Sequence, residues 1–148
     1  MNTKVAAKVI MVSSILGVFN AAYLIYLYVS NLGGAAHKSF CDISSTVSCS
    51  EVIMSPFVKF FGIPFFMIAG FVYPLLAVLG YLALTKKNPK NYFFTIAILS
   101  AMGATMNIVF MNNELSFAHA FCILCTICLG LILLNLVMAI LGYSKAKN

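Results

Sequence analysis

The sequence has very little charge, and this scarcity excludes most classes of soluble protein. It has no arginine and only three acidic residues, Asp42, Glu51 and Glu114, and charged residues make up 8% of its 148 residues. Typical soluble domains contain about 25%. Hydrophobic residues make up 63%, and a small domain leaves too much of its surface exposed to hide them from water. We therefore predict an integral membrane protein, and not a soluble enzyme, a disordered chain or a disulfide-rich secreted miniprotein.

Four segments lack charged residues altogether and are long enough to cross a bilayer as helices, which takes about 20 apolar residues. They are approximately residues 9–29, 63–84, 92–111 and 118–141. The apolar run of the first segment is too long for a signal peptide and has no clear cleavage site, so we expect this helix to be retained. No internal repeat or domain boundary is visible. The sequence thus predicts one all-α membrane domain, residues 1–148, built as a bundle of four transmembrane helices.

The nine lysines indicate how these helices are oriented, because cytoplasmic loops are enriched in basic residues. Four spans put seven of the lysines on one side, which should be cytoplasmic together with both termini: Lys4, Lys8, Lys86, Lys87, Lys90, Lys145 and Lys147. The lysines are scattered in ones and twos and form no basic face. The net charge of +6 therefore indicates membrane topology and no binding to nucleic acid.

A long extracytoplasmic loop, residues 30–62, joins the first two helices. Loops longer than about 12–15 residues are often functional. Within it, the apolar residues between 49 and 61 are spaced as in a short amphipathic helix that lies in the membrane interface and is interrupted at Pro56. We expect a redox or binding function for this loop.

The chemistry resides in the five cysteines. The predicted topology brings four of them to the outer side, Cys41 and Cys49 in the long loop and Cys122 and Cys125 in the first turns of the fourth helix, where disulfides can persist. Residues three apart on a helix have Cβ atoms about 5–6 Å apart, close to the reach of a disulfide. The helix N-terminus favours a thiolate, which is the attacking species in disulfide exchange. Cys128, one turn beyond Cys125, is interpreted as a packing residue.

The residues by themselves leave several alternatives open. Cys41 and Cys49 suit either a static structural disulfide or a mobile carrier pair, and Cys122 and Cys125 suit either a redox pair or two small buried side chains. A zinc site of four cysteines is disfavoured, because eight residues separate Cys41 from Cys49 and usual zinc knuckles are shorter. We predict no metal.

Electrons taken from thiols need an acceptor, and the sequence has no metal, haem or flavin motif. A quinone dissolved in the membrane is the natural acceptor, bound between helices near Cys125. The candidate polar contacts are Asn20, Tyr73, Asn107 and Asn112, although an interhelical hydrogen bond is the commoner role for such residues. The only histidines are His37 and His119. His119, three residues before Cys122, suits either proton transfer or a simple interfacial position.

The motifs together resemble the vitamin K epoxide reductase family, and the resemblance covers most of the chain. They are FCDI at 40–43, VSCSEV at 47–52, Ser55, FGIP at 61–64 and FCILC at 121–125. The resemblance implies a four-helix bundle around a pocket for a quinone of the ubiquinone, menaquinone or vitamin K type. It also implies that Cys41 exchanges with a redox partner and that Cys49 attacks Cys122. Cys125 would then face the quinone, and Ser55 would help to hold the loop or the reactive centre.

The predicted function is that of a membrane thiol:quinone oxidoreductase that supports disulfide-bond formation. Because the chain ends after the fourth helix, we expect its electron donor to be a separate thioredoxin-fold protein, and we expect a monomer surrounded by lipid. One alternative is a vitamin K epoxide or quinone reductase that uses the same cysteines, although Ile53 and Leu129 occupy positions that are aromatic in the animal enzymes. DsbB-type enzymes differ in carrying their two cysteine pairs in two separate loops. The last alternative is a non-catalytic membrane protein with structural disulfides.

Overall fold

The fold is a helical bundle with a small cap at one end. A computed structural model describes residues 2–34, 38–56 and 59–147, excluding the side chains of residues 117, 118 and 147. The helices are α1 (Thr3–Leu32), α2 (Cys49–Met54), α3 (Phe65–Thr85), α4 (Lys90–Asn113) and α5 (Ile123–Lys147). Two short antiparallel strands, β1 (Lys59–Phe60) and β2 (Ile63–Pro64), connect α2 to α3. Because α1, α3, α4 and α5 are each long and apolar enough to cross a membrane, the predicted four-helix membrane fold is confirmed.

The four long helices expose many large apolar side chains and bury several polar ones within an apolar core, unlike the helices of a soluble bundle. α1 packs against α3 and α5, and α4 packs against α5 and α3. Phe19 and Phe71 on the outer surface are 70% and 82% exposed. In the interior, the Asn135 side-chain amide donates to Ser14 Oγ over 3.2 Å, and Ser13 Oγ donates to Asn135 Oδ1. Such hydrogen bonds join helices in lipid, where burial of apolar surface gives little driving force.

The two ends of the bundle differ in chemistry. At one end, the start of α1, the α3–α4 connection and the end of α5 surround a shallow depression whose lining includes five lysines: Lys4, Lys86, Lys87, Lys90 and Lys145. At the other end, the end of α1 and the starts of α3 and α5 enclose an apolar cluster that contains four of the cysteines. The described chain ends therefore lie opposite the cysteine-containing end.

The connection between α4 and α5 differs from the prediction. α4 continues to Asn113 and passes into a π-helical turn, Glu114–Ala118. His119 follows with a left-handed backbone, φ 49°, a conformation that cannot continue a right-handed helix. Since α5 begins only at Ile123, the predicted start of this helix at residue 118 is wrong. The break leaves residues 119–122 free of the helix and able to pair with the long loop.

The other predicted elements are confirmed with shifted ends. α3 and α4 begin within two residues of their predicted starts, and α1 is longer than predicted at both ends. The short helix predicted within the long loop is α2. Its N-cap Ser48 accepts a hydrogen bond from the Glu51 backbone N–H, and Ser55 and Pro56 follow its end. The rest of that predicted amphipathic segment includes residues 57 and 58, which lie outside the described residues.

Candidate redox site

The long loop is organised around the carboxylate of Asp42. This carboxylate accepts hydrogen bonds from the Ser39 N–H (2.7 Å), the Ser48 hydroxyl (2.9 Å), and the N–H and hydroxyl of Ser50 (3.1 and 2.6 Å). Partial burial by itself would raise the pKa of Asp42, but the hydrogen bonds from Ser50, Ser39 and Ser48 outweigh it and hold this pKa well below its ordinary range. The Asp42 carboxylate thereby links Ser39, near Cys41, to Ser48 and Ser50, which flank Cys49. These links fix the position of Cys41 relative to Cys49.

A backbone pairing docks the loop onto the chain just before α5. The Phe121 N–H donates to the Thr46 carbonyl over 2.8 Å, and Val47 forms an isolated parallel bridge with Phe121. Val47 lies two residues before Cys49, and Phe121 directly precedes Cys122. The bridge therefore brings the two cysteine pairs together, and it exists only because α5 starts after Cys122.

The two pairs meet at their sulfur atoms. Cys41 and Cys49 form a disulfide with Cα atoms 5.8 Å apart. Cys122 and Cys125 are thiols, and Cys122 Sγ lies 3.4 Å from Cys49 Sγ. None of the four side chains is more than 1% exposed. The loop pair is thus oxidised and the second pair is reduced. The two pairs are in contact through the sulfur atoms of Cys49 and Cys122.

Cys122 occupies the N-cap position of α5. Its sulfur accepts a hydrogen bond from the Cys125 N–H at 3.3 Å, and its carbonyl accepts one from the Thr126 N–H at 3.1 Å. The first N–H groups of a helix have no partner within the helix, so the sulfur of Cys122 satisfies one of them. The same groups are available to a negative charge that develops on this sulfur during exchange.

The disulfide is shielded from solvent. Cys41 is buried, with its sulfur 3.1 Å from the Ser39 hydroxyl. Two apolar side chains close to Cys41 in the sequence, Phe40 and Ile43, are each 72% exposed. Any molecule that reaches the Cys41 sulfur must therefore displace part of the loop.

A cavity of about 210 Å³ lies between α3, α4 and α5. Its wall is apolar except for Tyr73, Asn107 and Cys128. The Tyr73 hydroxyl donates to the Cys128 carbonyl over 2.7 Å and lies 3.2 Å from Cys128 Sγ. The side chain of Asn107 is only 4% exposed, and its Oδ1 has no hydrogen-bond partner among the described residues. Wall residues such as Met102, which is 63% exposed, show that the cavity opens to the outer face of the bundle.

The residues predicted to contact a quinone divide into two groups. Tyr73 and Asn107 line the cavity. Asn20, Asn112 and Ser55 are not among its lining residues: Asn20 joins α1 to α5 by donating to the Leu124 carbonyl over 3.0 Å, Asn112 is exposed, and Ser55 follows α2. Asn20 therefore has the interhelical role that is common in membrane proteins.

The positions of the histidines and of two cysteines on α5 bear on the other predictions. His119 lies exposed in the turn before α5, and His37 lies outside the described residues. Cys128, interpreted as packing, lies on the cavity wall, whereas Cys125 is not among the lining residues. Cys128 is thus the only thiol among the described residues that line the cavity.

Glu114 is a residue that the sequence reasoning did not assign. It lies in the π-helical turn, is 3% exposed, and interacts electrostatically with Cys125. Its Oε1 has no hydrogen-bond partner among the described residues. The sequence signal for Glu114 was a single acidic residue eight positions before Cys122. The predicted topology placed it in the short connection between the third and fourth helices, where an exposed carboxylate is expected.

The comparisons agree with this architecture. A model of the vitamin K epoxide reductase family matches residues 8–140, which include all five cysteines. A search of curated proteins gives no match. Proteins of this family are oxidoreductases that act with quinones. The match covers nine-tenths of the chain and agrees with the four membrane helices, so the chain belongs to the vitamin K epoxide reductase family.

Proposed function

We propose that this protein is a membrane thiol:quinone oxidoreductase that takes electrons from a thioredoxin-fold protein outside the cytoplasm. The electrons pass through Cys41 and Cys49, then through Cys122 and Cys125, to a quinone in the membrane. The observation that carries the proposal is the 3.4 Å contact between Cys122 Sγ and Cys49 Sγ, the latter bonded to Cys41. The partner leaves with a new disulfide, so the reaction supports disulfide-bond formation.

The first exchange transfers two electrons from the partner to the loop. A partner thiolate attacks Cys41 Sγ, the Cys41–Cys49 bond breaks, and Cys49 leaves as a thiolate. The second partner thiol then attacks the mixed disulfide and releases Cys41. The partner is oxidised to a disulfide, and the loop pair is reduced to two thiols. Exposed Phe40 and Ile43 offer the partner an apolar surface beside the buried Cys41.

The second exchange moves the electrons into the bundle. Cys49 attacks Cys122 Sγ of an oxidised Cys122–Cys125 pair, and Cys125 leaves. Cys41 then attacks Cys49, which releases Cys122 and restores the Cys41–Cys49 disulfide. The result is the arrangement described above, an oxidised loop beside two thiols. The contact between Cys49 and Cys122 means that this step needs no large movement of the chain.

The cavity suits the ring of a quinone. Its size is below the roughly 300–1,000 Å³ of sites that enclose drug-sized ligands, and its opening toward lipid leaves room for an isoprenoid tail outside. The side-chain amide N–H of Asn107 would donate to an oxygen of the quinone ring, and its Oδ1, which has no partner among the described residues, would accept from the hydroxyl of the quinol. When bound, the quinone takes up two electrons and two protons as the thiols are oxidised. Neither Ile53 nor Leu129 is among the described residues that line this cavity.

The lysine distribution supports an extracytoplasmic redox loop. Five lysines surround the end of the bundle opposite the cysteines. The positive-inside rule assigns that end to the cytoplasm. The disulfide end then faces an oxidising compartment, where such a bond persists.

The test is quinone reduction by the purified protein in detergent, with a reduced thioredoxin-fold protein as donor. Cys41, Cys49, Cys122 and Cys125 are each replaced by Ala, and Ser45→Ala in the same loop serves as the matched control. We expect turnover to be lost in all four cysteine variants and kept in the control. Full turnover in the two loop variants would contradict the relay, because the partner would then reach α5 directly. We expect no product when the reduced protein is given vitamin K epoxide in place of a quinone.

A further inference from the structure

We propose that Cys128 is a third redox-active thiol, which forms a transient disulfide with Cys125 as the quinone in the cavity is reduced. The inference rests on the proposed function and identifies the thiol that acts at the quinone. Three observations support it: the spacing of the cysteines on α5, the position of Cys128 on the cavity wall, and the packing between Cys125 and the cavity.

The spacing repeats the redox motif along α5. Cys122, Cys125 and Cys128 follow one another at intervals of three residues, so Cys125 has a possible partner on each side. The rise and radius of an α-helix separate Cα atoms three residues apart by about 5 Å, within the 4.4–6.8 Å range of disulfides. Their Cβ atoms, about 5–6 Å apart, need to approach by about 1 Å. Cys125 and Cys128 are close enough to interact electrostatically.

The surroundings of Cys128 are those of a reactive group more than those of a packing residue. Since the Tyr73 hydroxyl donates to the Cys128 carbonyl at 2.7 Å, its oxygen is free to accept a hydrogen bond from the Cys128 thiol at 3.2 Å. Asn107 lies on the same cavity wall, and its buried Oδ1 has no hydrogen-bond partner among the described residues. A ligand in the cavity therefore meets a thiol, a hydroxyl and an unsatisfied amide oxygen together.

Cys125 does not line the cavity, and two aromatic residues are shared by its apolar cluster and the cavity wall. Phe65 and Phe110 belong both to the apolar cluster around Cys125 and to the cavity wall. Their rings stack with centroids 5.1 Å apart. A quinone in the cavity is therefore faced by Cys128, and Cys125 lies behind it on the path toward Cys122.

The chemistry balances without a further reagent. Cys125 and Cys128 are oxidised to a disulfide, and their two electrons and two protons convert one quinone to the quinol. Cys122 then attacks Cys125 Sγ, the Cys125–Cys128 bond breaks, and Cys128 recovers its proton as a thiol. The product is the Cys122–Cys125 disulfide, which is the substrate of Cys49 in the proposed relay.

The experiment counts thiols in a variant that cannot complete the second exchange. Cys122→Ser keeps the Cys41–Cys49 disulfide and leaves two thiols, Cys125 and Cys128. The purified variant is treated with ubiquinone-1, denatured and labelled with a maleimide, and the labels are counted by mass spectrometry. We expect two labels before the quinone and none after it, with the linked peptide containing both cysteines. The double variant Cys122→Ser/Cys128→Ala is the matched control and should keep its single label.

The wild-type protein separates failure of this inference from failure of the proposed function. With the loop oxidised, it has three thiols and should keep one after quinone treatment. If the wild type loses two labels and Cys122→Ser loses none, the quinone reaction stands and the role of Cys128 is overturned. If the wild type loses none, the proposed quinone reaction itself is wrong.

A second variant keeps the inference testable if Cys122→Ser does not fold. Cys128→Ser changes only the sulfur atom and preserves the packing volume. We expect it to exchange disulfides with the donor at the wild-type rate, while quinone reduction falls about tenfold or more, because the thiol nearest the acceptor is lost. Wild-type quinone reduction in Cys128→Ser would show that Cys128 only packs.

Discussion

The Sγ atom of Cys122 lies 3.4 Å from the Sγ atom of Cys49, which is itself bonded to Cys41. A backbone hydrogen bond from the Phe121 N–H to the Thr46 carbonyl holds the two segments together beside this contact. Cys49 therefore has two sulfur neighbours, Cys41 and Cys122. In the proposed relay, Cys49 thus has both of its exchange partners within contact distance.

Replacement of Cys41 by Ser should trap the second of these disulfides. Cys49 then lacks its loop partner, and Cys122 is the sulfur already in contact with it. After mild oxidation, we expect Cys49 joined to Cys122 in most molecules. Mass spectrometry of the cleaved, unreduced protein identifies the linked peptides. The double variant Cys41→Ser/Cys122→Ser should lack them, and a Cys49 that stays a free thiol in the single variant would contradict the relay.

Asp42→Asn should make the loop disulfide easier to reduce. A hydrogen bond to a charged group contributes about 1.5–3 kcal/mol to the stability of a fold. The Asp42 carboxylate accepts such bonds from Ser39, Ser48 and Ser50. Loosening these contacts exposes the buried Cys41. We expect reduction of Cys41–Cys49 by a phosphine to become about 10- to 100-fold faster, since 1.4 kcal/mol corresponds to a factor of ten. Glu51→Gln, which removes the same charge from an exposed side chain, should leave the rate unchanged.

The same carboxylate predicts a pH dependence. The pKa of Asp42 is held below its ordinary value by its hydrogen bonds, so its stabilisation is complete above the ordinary value of about 3.9 and is lost as pH falls through the lower folded value. We expect the ratio of the variant to the wild-type reduction rate to be constant near pH 6 and to fall toward one below about pH 4. A ratio that does not change over this range would show that Asp42 does not hold the loop.

The sequence predicted the fold well because membrane helices have a strong local signal. Charge-free runs of about 20 residues exceed what any soluble element needs, and lysines mark the ends of the spans. The convergence of Cys41, Cys49, Cys122 and Cys125 followed from the topology alone, and the geometry confirms it. The helix start at residue 118 was wrong because hydropathy does not detect a left-handed residue such as His119.

The cavity residues were less predictable, because an asparagine in a membrane helix gives the same signal whichever way it faces. Asn20 donates to a carbonyl on α5, whereas Asn107 lines the cavity with an oxygen that has no partner among the described residues. The difference depends on the rotation of each helix within the bundle. Hydropathy carries little information on this rotation when, as here, all faces of the helix are apolar.

Gly17→Ala should damage the fold and the cavity together. A Cβ atom at Gly17 would overlap two ring carbons of Tyr73, which is 1% exposed and lines the cavity. The ring must move, and overpacking of this kind costs about 1–3 kcal/mol. We expect a lower unfolding temperature in detergent and slower quinone reduction. Gly130→Ala is the matched control, because no atom of the described residues outside its own helix turn lies within 4 Å of a Cβ there, and it should be neutral or stabilising by up to about 1 kcal/mol.

Asn107→Leu should weaken quinone binding without disturbing disulfide exchange in the loop. The substitution keeps the approximate volume but removes the side-chain amide, whose N–H groups are the proposed donors to the quinone oxygen and whose Oδ1 has no partner among the described residues. One lost hydrogen bond, worth about 0.5–1.5 kcal/mol, corresponds to a KM for the quinone about two- to twelvefold higher. Asn112→Leu makes the same chemical change at an exposed position off the cavity and should leave this KM unchanged. Equal KM values in the two variants would mean that the quinone binds elsewhere, whereas a rise confined to Asn107→Leu would assign the cavity between α3, α4 and α5 to the electron acceptor.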